Sequence, residues 1–316
     1  MLPPLPVSSD GGLLCRLHDG RAASLWPAGV PVSPDDPAAA PWEEAAVLLS
    51  KVHSTPPAEL ALPGPVPPMR GPAKVARAMA RLRAAASVSP AARDAVQGAW
   101  HGLPPWARGE GSPHHEAPKP HHNPAADNCP TGNHPAGDGA TDGNPLGRYP
   151  ADAGADDGRT DGSRADDGPA ADGPAFPYRR GTLCHGDWHL GQLVRHPAPD
   201  GAWLLIDVDD LGLGDPAWDL ARPAAWFALG LLAPEIWQRF LGAYRSAGGP
   251  AVRPEGDPWP ELDVPARALT VQMAALALAR AAAEGRDPDE DEEALVDGCV
   301  RIADMGSGGM SHCVRT

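Results

Sequence analysis

Apolar and polar positions follow two different rhythms along this chain, and the change between them divides it. Ala45, Leu48, Leu49 and Val52 recur at helical spacing and predict an amphipathic helix from Trp42 to His53. Glu43 and Glu44 suit its positive N-terminal end, and Pro56-Pro57 ends it. Val75, Met79, Leu82 and Ala86 predict a second helix from Ala73 to about Ala86. Ser89, an N-cap residue followed by Pro90 at the first helical position, opens a third that reaches Trp100. Helical spacing returns over Pro216 to about Leu232, Pro234 to Ala247, Val264 to Glu284 and Asp289 to Met305. The last of these starts with an acidic run, 289–293, that complements the helix dipole. Between the two helical blocks lie two short apolar runs, Leu193-Val194 and Trp203 to Ile206, which read as neighbouring strands. At the front, residues 13–26 read as a hairpin turning at Asp19-Gly20, followed by a proline-rich link from Pro27 to Pro41. The order is a small β piece, helices, a two-stranded insert and more helices, which makes an α+β protein.

Residues 109–175 keep neither rhythm. Leu146 and Tyr149 are the only large apolar or aromatic residues there. Such a stretch cannot bury enough surface to offset its ordering entropy, so a disordered insert rich in Asp, Gly, Pro and His is expected. It also carries more than half of the net charge of −15, which leaves the rest of the chain only mildly acidic. No basic stripe accompanies that charge, which argues against a nucleic-acid partner. His114, His115, His121, His122 and His134 match no compact metal site and are read as adventitious binders. The 5 cysteines are widely spaced without a CxxC pair, so neither a disulfide framework nor a zinc ribbon is indicated. The first residues, MLPPLPVSSDGG, lack the features of a secretory signal, and no apolar run approaches the roughly 20 residues that span a bilayer. A soluble, reduced, cytoplasmic protein without a membrane partner is expected.

The candidate chemistry is concentrated in residues 182–221, TLCHGDWHLGQLVRHPAPDGAWLLIDVDDLGLGDPAWDLA. His185-Gly186-Asp187 precedes the first short strand, Gln192 lies at its start, and Asp207 follows the second strand. Pairing of the two strands would bring Asp207 back beside Asp187 and Gln192. One carboxylate facing a hydroxyl, with a second carboxylate and an amide oxygen facing a divalent cation, is what phosphoryl transfer requires. Asp215 before Pro216 reads as an N-cap, and Asp219, one turn into that helix, is placed to brace the loop. His185 and His189 are read as structural supports. Cys184 is read as a small buried residue, since no partner for a thiol nucleophile accompanies it. Asp209 and Asp210 read equally well as contacts for a cationic substrate or as solvated loop carboxylates.

HGDWHLGQ, IDVDD and GDPAWDLA, in that order, resemble the aminoglycoside phosphotransferase and choline kinase-like family, which has a protein-kinase-like fold. The resemblance is specific over 182–221 and loose over 42–105 and 176–305. It implies Asp187 as catalytic base and Gln192 and Asp207 as magnesium ligands, with ATP as phosphoryl donor. Gln192 stands where that family usually has asparagine, one methylene shorter, and still offers an amide oxygen. The front of the chain departs further. The family places a five-stranded lobe with a phosphate-covering loop and a lysine before its hinge. Here the roughly 40 residues ahead of the first helix hold one hairpin, no GxGxxG and no lysine. The hairpin resembles the last two strands of that lobe, and Trp26 and Ala28 fall near the implied hinge, where the nucleotide would bind.

The expected division is therefore a remnant N-terminal β lobe and hinge over 1–41, helices of a mostly helical C-lobe over 42–108, the insert over 109–175, the catalytic β-hairpin and remaining helices over 176–306, and a flexible tail over 307–316. The implied function is an ATP- and magnesium-dependent phosphotransferase acting on an alcohol group of an aminoglycoside-, amino-alcohol- or sugar-like small molecule. The alternative is a catalytically silent relative that binds a small molecule without most of the ATP lid.

Overall fold

The computed structural model describes residues 3–9, 11–18, 20, 22–33, 36–60, 64–110 and 181–308. Asp19, the five histidines of the insert, nearly all of the insert itself and the C-terminal tail lie outside the described residues.

Strands β1 (Cys15–Arg16) and β2 (Ala22–Ala23) pair antiparallel as the hairpin read from the sequence. Helices α1 (Trp42–Ser54), α2 (Gly71–Ala84) and α3 (Pro90–Gly102) follow. Within α1, Ala45, Leu49 and Val52 of the expected stripe are buried and Leu48 is partly buried, and Trp42 joins them in the core. Helix α2 lies two residues earlier than its apolar stripe suggests. Pro72 sits in its first turn, and the Arg93 guanidinium takes the Leu82 and Ala85 carbonyls at 2.5 and 2.6 Å, satisfying its C-terminal end. The Ser89 side chain accepts from the Ala92 N–H at the start of α3.

The stretch over 182–214 forms β4 (Thr182–Cys184), β5 (Leu193–His196), β6 (Ala202–Leu205) and β7 (Gly212–Gly214). β5 and β6 pair antiparallel with Leu193 opposite Leu205. The sheet has one strand more than the expected hairpin: β3 (Val30–Pro31) adds to the outer side of β5. A two-residue strand inside a proline-rich link has no alternation to reveal it, so the sequence hid it. The close pairing requires Gly29, where a Cβ would come within 2.9 Å of the Val194 side chain. β4 pairs instead with β7, which closes the loop structure around residues 185–211.

Helices α4 (Ala217–Leu229), α5 (Pro234–Ser246), α6 (Trp259–Glu284) and α7 (Glu290–Gly308) complete the fold. α6 starts five residues before the expected Val264. Pro265 inside it removes one backbone donor near the N-terminal end without ending the helix. Among the described residues α6 is also long and apolar enough to cross a membrane, against the expectation that no apolar run approaches that length. Of its apolar window, 67% is buried inside the structure. One core joins the helices: α1 packs on α5, α2 and α4 pack on α6, and α7 packs on α3. Trp42, Phe240, Tyr244, Met79, Leu82 and Leu262 are fully buried there.

Candidate active site

The loop from His185 to Gln192 is held from below by a buried carboxylate. Asp219 lies on the first turns of α4 and is completely enclosed. Its two oxygens accept the backbone N–H groups of His185 at 2.6 Å and Gly186 at 2.8 Å. It also meets His53 Nε2 at 2.9 Å, and His53 Nδ1 meets the Tyr244 hydroxyl at 2.7 Å. The Ala251 N–H donates to that hydroxyl. With a proton on Nε2, His53 donates to Asp219 while its Nδ1 meets the Tyr244 hydroxyl, so each group of this buried chain has a partner. Burial opposes ionisation of Asp219, but the His53 hydrogen bond and charge, the His185 charge and the Gly186 N–H outweigh it. The carboxyl is held below its ordinary range.

Asp215 closes the other side of this turn. The helix proper starts one residue later than Asp215 as N-cap would place it, yet its Oδ1 accepts from the Ala217 N–H at 3.0 Å. Burial pushes its carboxyl up from 3.8 to about 6. Between those values the folded chain keeps a proton that the unfolded chain has lost, so this group makes stability fall as pH rises from about 4 to about 6. A span of about two pH units corresponds to roughly 3 kcal/mol. Asp215→Asn keeps an oxygen for Ala217 and cannot ionise. It is expected to gain up to about 3 kcal/mol on the parent protein between pH 4 and pH 7 in urea unfolding. Asp219 acts with the opposite sign, below its unfolded value, and is common to both proteins. An identical pH dependence in parent and variant would count against this account.

Above the brace, the strand ends bring two of the expected donors together. Gln192 Nε2 meets Asp207 Oδ2 at 2.9 Å. Asp207 has a φ of 58°, the left-handed conformation that a non-glycine residue seldom adopts, and one found most often where function needs it. His185 Nε2 donates to the Ile206 carbonyl at 3.0 Å, so the loop is tied to the residue before Asp207. His189 Nδ1 accepts from the Gly191 N–H and shapes the turn into Gln192. Both histidines thus occupy supporting positions. Cys184 is buried and its thiol is pushed far up, chiefly by burial, which fits a packed residue rather than a nucleophile.

Asp187 has partners of its own. Among the described residues its side chain meets Lys74 Nζ and Arg222 Nη2, each at 3.3 Å. Lys74 also pairs with Asp210 and donates to the Gly186 carbonyl at 3.2 Å. Arg70 pairs with Asp210 and donates to the Asp209 carbonyl. The cations that Asp210 faces are therefore the protein's own. Burial opposes its ionisation, but the hydrogen bond and charge of Lys74 and the charge of Arg70 hold its carboxyl below the ordinary range. The Asp209 carboxyl is raised by burial and by the neighbouring charges of Asp207 and Asp210.

Lys74 reaches this point because residues 67–69 run beside β7. Met69 N–H donates to the Leu213 carbonyl at 2.8 Å and Leu213 N–H to the Pro67 carbonyl at 2.7 Å. Gly212 allows the approach, since a Cβ there would lie 2.7 Å from the Met69 backbone. Sequence reasoning missed Lys74, Arg222, Arg70, His53 and Tyr244. Lys74 left a faint signal as one of three lysines in an arginine-rich chain, and His53 as a histidine on the buried face of α1.

Of the two hinge candidates, Trp26 donates its indole N–H to Ser24 at 3.0 Å. The Ala28 carbonyl lies 3.2 Å from His196 Nδ1, beside the outer end of β5.

The donor set was tested against a divalent cation. Among the described residues no group of three or more His, Cys, Asp and Glu side chains converges. A carboxylate and an amide do meet, and an amide can turn its oxygen toward the point its nitrogen now faces. Two protein oxygens, with phosphate and water supplying the rest, suit magnesium.

Residues 145–259 match the model of the phosphotransferase enzyme family, APH. No curated protein matches the chain. Among solved structures, the crystal structure of the macrolide 2'-phosphotransferase MphH from Brachybacterium faecium, an apoenzyme, matches at 18% identity and a TM-score of 0.33. That match covers 96% of this chain and 67% of the other, a loose likeness that assigns no residue a role. The family match spans the histidine, both strand-end donors and the bracing aspartate, so it is through residues 145–259 that this chain is similar to the phosphotransferase enzyme family.

Proposed function

We propose that the chain is an ATP- and magnesium-dependent phosphotransferase that moves the terminal phosphoryl group of ATP to a hydroxyl of a small molecule. The observation that carries the reading is the pairing within the site: Gln192 and Asp207 meet each other, while a separate carboxylate, Asp187, has Lys74 and Arg222 as its partners. Magnesium, when bound, neutralises phosphate charge. Gln192 and Asp207 hold it, with Asp207 set by its backbone conformation. Asp187 takes the acceptor proton as the oxygen–phosphorus bond forms and the bond to the departing ADP breaks. Lys74 and Arg222 flank its two oxygens and orient the carboxylate. Asp219, His185 and His189 keep the loop in place.

In this reading residues 1–41 are a reduced N-terminal lobe whose hinge, near Trp26 and Ala28, lies beside the nucleotide. Residues 42–108 and 176–306 form the C-lobe, and the cytoplasm, where ATP is abundant, is its location. Lys51 is exposed on α1, which leaves Lys74 as the one lysine at the site among the described residues.

Mg-ATP tests this directly. At a hundredfold excess over its Kd it should stabilise the protein by about 2.7 kcal/mol, seen as a rise in Tm. Asp207→Ala should abolish the rise. No stabilisation of the parent protein at millimolar Mg-ATP, or full stabilisation of the variant, would overturn the reading.

A further inference from the structure

Beside Asp187 a cleft, partly open to solvent, is lined by Lys74, Asp187, Trp188, Arg222, Leu269 and Gln272 among others. Its position between α2, α4 and α6 makes it the place from which an acceptor hydroxyl would reach Asp187.

Two of the donors of this cleft are buried and have nothing to donate to. Trp188 is 3% exposed, and its indole N–H is buried without a partner. The Arg222 Nε is likewise buried and unpartnered, and the guanidinium makes one contact, at 3.3 Å, with Asp187. Gln272 is buried, and its side chain makes no hydrogen bond among the described residues. Lys74 is neutralised by Asp187 and Asp210, and these two are the carboxylates facing it. Arg222 shares only Asp187, which must turn to the acceptor hydroxyl during transfer. Buried donors without acceptors are costly unless a ligand completes them, and a guanidinium is best completed by a carboxylate or phosphate.

We propose that this cleft takes a small acceptor that carries a carboxylate or phosphate beside the hydroxyl to be phosphorylated, with Arg222 binding the anionic group. The proposal rests on Asp187 marking the transfer site.

Binding is read without nucleotide, so that it is separable from turnover. The probes are ribose 5-phosphate and D-glycerate as anionic hydroxylated compounds, ribose as a neutral one and kanamycin as a cationic one, by calorimetry and thermal shift on the full chain. At least one of the anions should bind at least tenfold tighter than ribose or kanamycin. Arg222→Gln should weaken that binding tenfold or more, while Arg222→Lys retains part of it and Asp187→Asn retains it. The proposal is overturned if neither anion binds, if kanamycin binds tighter than both, or if Arg222→Gln leaves anion affinity unchanged. It is also overturned if Arg222→Gln weakens Mg-ATP and not the anions, which would assign the guanidinium to the nucleotide phosphates. Anion binding sensitive to Arg222 but without turnover would support the cleft and sink the phosphotransferase reading instead. Turnover of ribose or kanamycin with no anion binding would do the reverse.

Discussion

Asp187→Asn is expected to lower turnover by roughly 10²–10⁴-fold while Mg-ATP still stabilises the protein. The carboxylate lies at the mouth of the cleft, about a third exposed, and makes no hydrogen bond to Gln192 or Asp207 among the described residues. Its removal therefore takes away a proton acceptor and leaves the metal-suited pair intact. Asparagine keeps one oxygen for Lys74 or Arg222, so the loop should hold its shape. Release of ADP, measured with and without acceptor, is the readout, with the thermal shift by Mg-ATP as the control. Turnover within threefold of the parent protein would remove Asp187 from the role of base. Loss of the thermal shift together with turnover would show that the variant had damaged nucleotide binding instead.

Asp219→Ala is expected to have the largest effect on the fold, about 3–5 kcal/mol of stability. No solvent reaches this carboxylate, which satisfies two backbone N–H groups and His53 at once. Alanine would strand all three donors in a buried environment. The expected fall in Tm is on the order of 10 °C. His53→Ala should destabilise less, because Asp219 would keep both backbone donors. In a double-mutant cycle the two changes should be strongly non-additive, since His53 acts through Asp219. Additive effects would show that the buried chain from Tyr244 to the loop is not one unit.

The helices were legible because each buries one face, and burial imposes a spacing that survives in the sequence. Ala45, Leu49 and Val52 on α1, and Val75, Met79 and Leu82 on α2, are all where their period puts them. Helix ends were less legible. α2 ends where a distant guanidinium, Arg93, takes its carbonyls, and α6 passes through Pro265, where a local rule suggests a start. Strand β3 left no pattern, because two residues cannot alternate.

The site divides in the same way. His185, Asp187, Gln192, Asp207, Asp215 and Asp219 lie within one stretch of chain, where strand pairing and a helix start set their neighbours, so residue type and spacing were enough to single them out. The partners that give them different roles come from elsewhere. Lys74 arrives from α2 only because residues 67–69 lie along β7 over Gly212, and His53 and Tyr244 reach Asp219 from α1 and α5. Arg222 was in view in the sequence, one turn beyond Asp219, yet nothing in the order of residues shows that it turns toward Asp187. By itself, then, the sequence determined the helices, the paired short strands and the phosphotransferase motif, all of which depend on local spacing. Only the tertiary structure decided which carboxylate is buried as a brace, which is flanked by cations, and that the cleft beside it holds buried donors. Those properties depend on contacts between residues distant along the chain, 35 positions for Arg222 and Asp187 and 166 for His53 and Asp219, which local spacing does not encode.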